Sequence, residues 1–248
     1  MKGPHVASLA YDSVGVRVTL KERQVDASKR SARKHRLVIF DLDNTLCDHR
    51  TSLHVRLDHA FKEVFPDEDQ RTTVVAASVA IAHDGTQHFG QLFLEHGIAA
   101  AEAAERAITR YRSDRYRGLE LFLDTLDALA LASDHFEIAM ITNGPTDIQQ
   151  PKLDLLGIEP LFSFVLISES TGYWKPDPRI FELALARAGV PAHEAAYIGD
   201  SPDHDMAGAR AAGLSAIWMN RLGEQWPGGL APDFEAGNLH AALRWLGV

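Results

Sequence analysis

Leu37-Val38-Ile39-Phe40-Asp41-Leu42-Asp43-Asn44-Thr45 is the stretch from which the rest of the chain can be read. Its first four residues are β-branched, aliphatic or aromatic, with no polar residue between them. Such a run predicts a strand buried on both faces, as in a parallel sheet. It ends in Asp41. In an extended segment Asp41 and Asp43 point to the same side. Two close carboxylates repel unless something neutralises them, so one holds a raised pKa or both face a cation. One carboxylate can act as a nucleophile while the other passes a proton. The same residues also suit an N-cap and turn, because Asp and Asn are common there. The pentapeptide alone leaves both readings open.

Working outward from this strand, short apolar runs recur at residues 136–141, 164–167, 195–198 and 215–219. Helical patterns lie between them. Residues 177–188 place Ile180, Leu183, Ala184 and Ala188 on one face, with Gly189 as a stop. Residues 203–212 end at Gly213 in the same way, and Leu153, Leu155 and Leu156 belong to a helix closed by Gly157. Strands alternating with helices predict a Rossmann-like α/β core, an open parallel sheet with helices on both faces. A stretch of 49–117 breaks the alternation. It reads as helices over 55–64, 73–82, 87–96 and 100–116, with breaks at Pro66, Asp84-Gly85 and Gly97. The expected organisation is a flexible extension over 1–35, a core made of 36–48 and 118–248, and an all-helical cap over 49–117. Within the extension, residues 14–20 alternate as a short strand would, and residues 24–35 read as a polar linker. Residues 223–232 read as a surface loop before a last helix over 238–246.

Composition limits the function classes. The 248 residues are 46% hydrophobic and 24% charged, ordinary values for a globular protein. The net charge of −9 argues against broad nucleic-acid binding. The cations at Lys21, Arg23, Lys29, Arg30, Arg33, Lys34 and Arg36 form a basic tail of a kind that can touch nucleic acid or a membrane surface, but read more simply as a solvated leader. No apolar run is long enough to span a bilayer, and the first residues lack a signal-peptide pattern. A cytoplasmic protein without a membrane or nucleic-acid partner is expected; the oligomeric state is not legible. Cys47 is the single cysteine, so no internal disulfide and no cysteine metal cage can form, and it reads as a small filler.

In open α/β sheets ligands bind beyond the carboxyl ends of the strands. Beside Asp41 and Asp43, three more such ends carry polar groups. Ile141-Thr142-Asn143-Gly144-Pro145 offers a hydroxyl, an amide and backbone N–H groups that can hold a phosphate oxygen. Lys175, in Tyr173-Trp174-Lys175-Pro176-Asp177, is a mobile point cation. Gly199-Asp200-Ser201-Pro202-Asp203-His204-Asp205 supplies carboxylate oxygens of the kind hard cations such as Mg2+ take. Each alone suits an ordinary strand-to-helix turn, and Asp203 suits an N-cap. Their order, each at an expected strand end or in the loop after it, is the stronger signal.

With these motifs in this order, residues 37–247 resemble the haloacid dehalogenase-like hydrolase superfamily, in the branch whose helical cap follows the first strand. The resemblance implies a Mg2+-dependent phosphatase acting on a small phosphorylated metabolite through an aspartyl-phosphate intermediate. It implies Asp41 as nucleophile and Asp43 as acid and base. The Asp41 carboxylate, the Asp43 main-chain carbonyl and Asp200 would hold the metal. Thr142 and the Asn143 backbone would bind the transferring phosphate, Lys175 would neutralise its charge, and Asp205 would support Lys175 and the metal's water shell. Asp43 favours phosphoryl transfer, since the family's dehalogenases lack an aspartate there. His204 departs from the family's pattern, which often has Asn before the second aspartate. Sugar phosphates, phosphoglycolate-like acids and nucleotides all stay open as substrates. So do two rival functions, a phosphomutase of the same fold and a non-enzymatic binding module, although the catalytic set is complete.

In the cap, His49, Arg50 and His54 are near enough to the nucleophile to be substrate contacts, although each alone reads more simply as a solvated helix-start residue. The spacings of His54 with His59 and of His83 with His88 do not suit zinc. Phe61, Phe65, Phe89 and Phe93 read as cap packing, with a pocket role open for Phe89 and Phe93. Trp174 is read equally as a stacking or a packing residue.

Overall fold

The run Leu37–Phe40 forms strand β1, and every side chain in it is fully buried. Alternation sends Val38 and Phe40 to one face of the sheet and Leu37 and Ile39 to the other. Each such side chain contributes roughly 1.5–3 kcal/mol on burial. Both faces can be apolar because both are covered by helices. The computed structural model describes residues 34–81, 85–99 and 101–248. The short strand expected over 14–20, residues 24–33 of the linker and most of the basic stretch lie outside the described residues. His35, assigned from sequence to the extension, is buried, with Nε2 3.0 Å from Ser215 Oγ.

After β1 the chain leaves the sheet for four helices: α1 (His49–Phe61), α2 (Glu68–Ile81), α3 (Phe89–Glu95) and α4 (Ala101–Ser113). It returns as α5 (Thr125–His135), β2 (Glu137–Thr142), α6 (Thr146–Leu156), β3 (Phe164–Ile167), α7 (Ser168–Thr171) and α8 (Pro178–Ala188). Then follow β4 (Ala195–Gly199), α9 (Ala207–Ala211), β5 (Ser215–Met219), β6 (Phe234–Ala236) and α10 (Leu239–Trp245). The six strands are all parallel, in the order β3-β2-β1-β4-β5-β6. The chain winds outward from β1 in one direction through β2 and β3, then in the other through β4, β5 and β6. The strand order therefore reverses between β1 and β4, where a ligand crevice opens. Helices α5 and α10 cover one face with Ala128, Leu129 and Leu243, and α8 and α9 cover the other with Ile180, Phe181 and Ala209.

The inserted helices have a core of their own, built on Leu57, Phe61, Phe65, Phe89, Phe93 and Tyr111. The Phe61 ring meets Phe89 and Phe93 edge-on at 4.8 and 5.0 Å, an arrangement aromatic quadrupoles favour. Both crossings between insert and sheet are pinned. Thr125 Oγ1 donates to Leu46 O at 2.7 Å, and Ser52 Oγ to Arg117 O at 2.9 Å. Among the described residues, no helix is long and apolar enough to cross a membrane.

Several elements differ from the sequence reading: α1 and α2 begin at His49 and Glu68, earlier than the expected starts at 55 and 73. The helix expected over 203–212 is a π-turn, Pro202–Met206, leading into α9. Its N-cap is Ser201, which accepts from His204 N, so the role expected of Asp203 falls to Ser201. Strand β6 is unexpected, because three residues on a sheet edge, only one of them buried, carry no periodic signal.

Candidate active site

The reversal in strand order gathers the charged residues. Asp41 directly follows β1, and its N–H donates to Ile198 O of β4 at 2.9 Å. Thr142 closes β2, Lys175 lies in the loop between α7 and α8, and Asp200 follows β4. Asp205 enters from the π-turn. It needs Gly199, since a Cβ there would lie 2.4 Å from Asp205 Oδ2.

Lys175 is the hub. Its Nζ donates to Asp41 Oδ1 at 2.5 Å, to Asp205 Oδ1 at 2.7 Å and to Tyr197 Oη at 3.0 Å. All four side chains are buried. The loop that carries Lys175 is fastened to the tip of β2 by Asn143. Lys175 N donates to Asn143 Oδ1 at 2.9 Å, and Asn143 Nδ2 returns to Lys175 O at 3.0 Å. The Asn143 side chain therefore serves the scaffold.

Carboxylate oxygens of Asp41, Asp200 and Asp205 lie within 4.8 Å of one another. Burial pushes Asp41 well above the usual carboxylate range, Lys175 pulls it back, and Asp205, Asp200 and Asp43 push it further up. Asp200 is raised to about 7, by burial first and then by Asp205. The charges of three carboxylates against one ammonium leave two negative charges uncompensated. An all-oxygen donor set with that surplus, two of its carboxylates buried and Asp200 partly so, fits a hard divalent cation. Burial alone would favour losing protons from the Lys175 ammonium, but Asp205 and Asp41 outweigh it and hold its pKa above the lysine range. Asn44 sits at φ 57, in the left-handed region that asparagine tolerates, and its Oδ1 accepts from Arg50 N at 2.9 Å.

Asp43 stands apart from that cluster. Burial would raise its pKa, yet Lys152, His49 and hydrogen bonds from Lys152 and Gln149 bring it down to about 2. Lys152 Nζ lies 2.7 and 2.8 Å from its two oxygens, and Gln149 Nε2 3.2 Å from Oδ2. So the two aspartates of one motif sit in opposite electrostatic surroundings.

Sequence reading missed Tyr197, Gln149, Lys152 and Ser168, whose hydroxyl accepts from Gly144 N at 2.9 Å. Tyr197 lies inside an apolar strand run and reads as core. Lys152 and Gln149 stand on the helix closed by Gly157, where only their i, i+3 spacing could have flagged them. Cys47 is buried with its thiol pushed up by burial, as suits a filler. His49 Nδ1 is 3.7 Å from Asp43 Oδ1, whereas Arg50 pairs with Glu224 on the surface. His54 is exposed. His204 is exposed and contacts Ser201, leaving Asp205 to bond Ser201 N and Lys175. Phe89 and Phe93 are buried in the cap, Trp174 is 45% exposed, His59 pairs with Asp114, and His88 bonds Ser78. His83 lies outside the described residues.

Comparison with known proteins places this geometry. The family model of haloacid dehalogenase-like hydrolases matches residues 35–213. A phosphoserine phosphatase of Thermus thermophilus is 39% identical over 155 residues, 61% of this chain and 60% of that protein, so less than two thirds of that relative is spanned. The 5-amino-6-(5-phospho-D-ribitylamino)uracil phosphatase YigB of Escherichia coli is 30% identical over 223 residues, 81% of this chain and 91% of that one. The crystal structure of a HAD phosphatase from Thermococcus onnurineus superposes with a TM-score of 0.58 at 26% identity, covering 86% of this chain and 98% of its own.

Proposed function

The chain belongs to the haloacid dehalogenase-like hydrolases, and from that premise we propose a Mg2+-dependent phosphatase that hydrolyses a small phosphorylated metabolite through an aspartyl-phosphate on Asp41. The observation that carries this reading is the buried Asp41–Lys175–Asp205 chain with Asp200 beside it and Asp43 held separately.

Each residue has work suited to its surroundings. Lys175 engages Asp41 Oδ1 and leaves Oδ2 to attack phosphorus. That step forms a bond from Asp41 to phosphorus and breaks the bond to the leaving alcohol. Asp43 passes a proton to the departing oxygen. Held near 2 it rests ionised, so the proton arrives with the substrate, whose second ionisation lies near 6. Asp43 then takes a proton from water, which attacks phosphorus and frees Asp41. The Thr142 hydroxyl and the Asn143 N–H hold the transferring phosphate, and Lys175 offsets its charge. Asp41, the Asp43 main-chain carbonyl and Asp200 would hold Mg2+, which when bound stabilises charge on the phosphate oxygens.

The helical insert would close over this crevice and exclude bulk water. That enclosure, with the phosphatases among the relatives, supports a small metabolite as substrate. Phosphate release from 4-nitrophenyl phosphate tests the reading. Wild type is expected to turn over with Mg2+ and to stop with a chelator, and Asp41→Asn is expected to be inert. Mg2+-independent release, or full activity in Asp41→Asn, would overturn it.

A further inference from the structure

Helix α6 spends two buried polar side chains on the site, and neither is needed to cover the sheet. Gln149 and Lys152 are 2% and 4% exposed. Three residues apart, they share one face of the helix, while Leu153 supplies the apolar contact with the core. Burying an ammonium costs several kcal/mol, and a well-packed apolar side chain often serves stability as well or better.

Their partners are specific. Lys152 Nζ reaches both oxygens of Asp43, at 2.7 and 2.8 Å. Gln149 Nε2 donates to Thr142 Oγ1 at 2.6 Å, to Asn143 O at 2.8 Å and to Asp43 Oδ2 at 3.2 Å. Two of those three are pure acceptors, so the amide orientation is fixed. Its Oε1 is buried with no hydrogen-bond partner, a cost accepted for that orientation. Because Thr142 Oγ1 accepts from Gln149, its own hydrogen is free to donate to a phosphate oxygen. The close approach also depends on Gly144, at φ 150, where a Cβ would lie 2.8 Å from Gln149 Cγ.

We propose that Lys152, assisted by Gln149, is a positioning residue of the reaction: it holds the Asp43 carboxylate in the one orientation from which protons pass to the leaving oxygen and from the attacking water. The proposal rests on the phosphatase reading, in which Asp43 carries those protons. A salt bridge that only joined α6 to the β1 loop would also be buried and short. The two roles part at the leaving group. An aryl oxide departs without a proton, whereas an alkoxide needs one. Loss of Asp43 orientation therefore slows an alkyl phosphate selectively; a purely structural loss slows both alike.

The experiment is rapid-quench formation of phosphoenzyme by the Mg2+-loaded full chain, from 4-nitrophenyl phosphate and from ethyl phosphate. In Lys152→Met the rate from ethyl phosphate should fall about tenfold or more beyond the fall from the aryl ester, within the range proton transfer commands, with KM for both little changed. Lys152→Arg should recover part of the alkyl rate, since a guanidinium can also span a carboxylate. Gln149→Met, which keeps Lys152, should show the same selectivity more weakly and serves if Lys152→Met does not fold. Equal losses on the two esters, or a folded Lys152→Met with wild-type alkyl rate, would overturn the proposal. Absence of phosphoenzyme in wild type from either ester would instead sink the phosphatase reading, and the proposal with it.

Discussion

The sheet and the helical insert bury opposite kinds of matter. Around the strand tips Asp41, Thr142, Lys175, Tyr197 and Asp205 are out of water; Lys175 bonds Asp41, Tyr197 and Asp205, and Thr142 accepts from Gln149. In the insert the centre is Phe61, Phe65, Phe89 and Phe93, ring against ring. Buried charges are costly unless mutually satisfied, so a network of them marks where chemistry is done. An aromatic core gives a rigid body and no reacting groups. Under the proposed function, the difference gives bond making to the sheet and enclosure to the insert.

The largest expected effect is on the sheet side. Lys175→Met leaves Asp41 and Asp205 buried without their shared cation. Removing one partner of a buried charge set costs about 3–5 kcal/mol, and phosphate release should fall by on the order of 10^3-fold. Chemical denaturation and steady-state assays read both. A variant with near wild-type activity would break the contrast.

On the insert side, Phe93→Ala should cost a similar amount of stability, about 3–5 kcal/mol. Its effect on chemistry should differ. Below its unfolding transition, the variant should still form phosphoenzyme from a small aryl phosphate within a few-fold of wild type. Loss of that step in folded protein would show that the insert is not chemically silent.

A pH test sharpens the metal side of the comparison. Asp200 is raised from its ordinary value of 3.8 to about 7. The metal-free fold thus keeps a proton that the unfolded chain releases. Stability from that source is whole below about pH 4 and is lost as pH rises through about 7. Metal-free protein should melt lower at pH about 8 than at about 5.5, and Mg2+ should raise the melting temperature more at the higher pH. Asp200→Asn should flatten the profile; an unchanged slope would contradict the assignment. The smallest effect is expected for Arg50→Ala. Its pair with Glu224 joins the insert to the loop after β5 but is about half exposed on both sides, so stability should change by under about 1 kcal/mol.

What was legible in the sequence follows from the same contrast. Strand β1 announces itself because helices cover both its faces, which demands an unbroken apolar run. Asp41 and Asp200 are legible because polar residues stand out at strand ends, and Lys175 through its place in the order of motifs, although it lies in the loop between α7 and α8. Tyr197 is hidden, since its ring packs as core while its hydroxyl serves Lys175. Lys152 is hidden for a different reason. Helix periodicity tells which residues share a face, not that a polar face turns toward a distant loop. The π-turn at Pro202–Met206 escapes because one extra residue in a helical turn leaves no mark in composition. Strand β6 is too short to show any period.

The central claim is that Asp41 carries the phosphoryl group. Acid-quenched protein taken during turnover with Mg2+ and 4-nitrophenyl phosphate, digested and analysed by mass spectrometry, tests it directly. One phosphoryl group on the peptide containing Asp41, absent in Asp41→Asn and lost on treatment with hydroxylamine, is the predicted result. A phosphoryl group on another residue, or turnover with no phosphoenzyme at any quench time, would contradict the account.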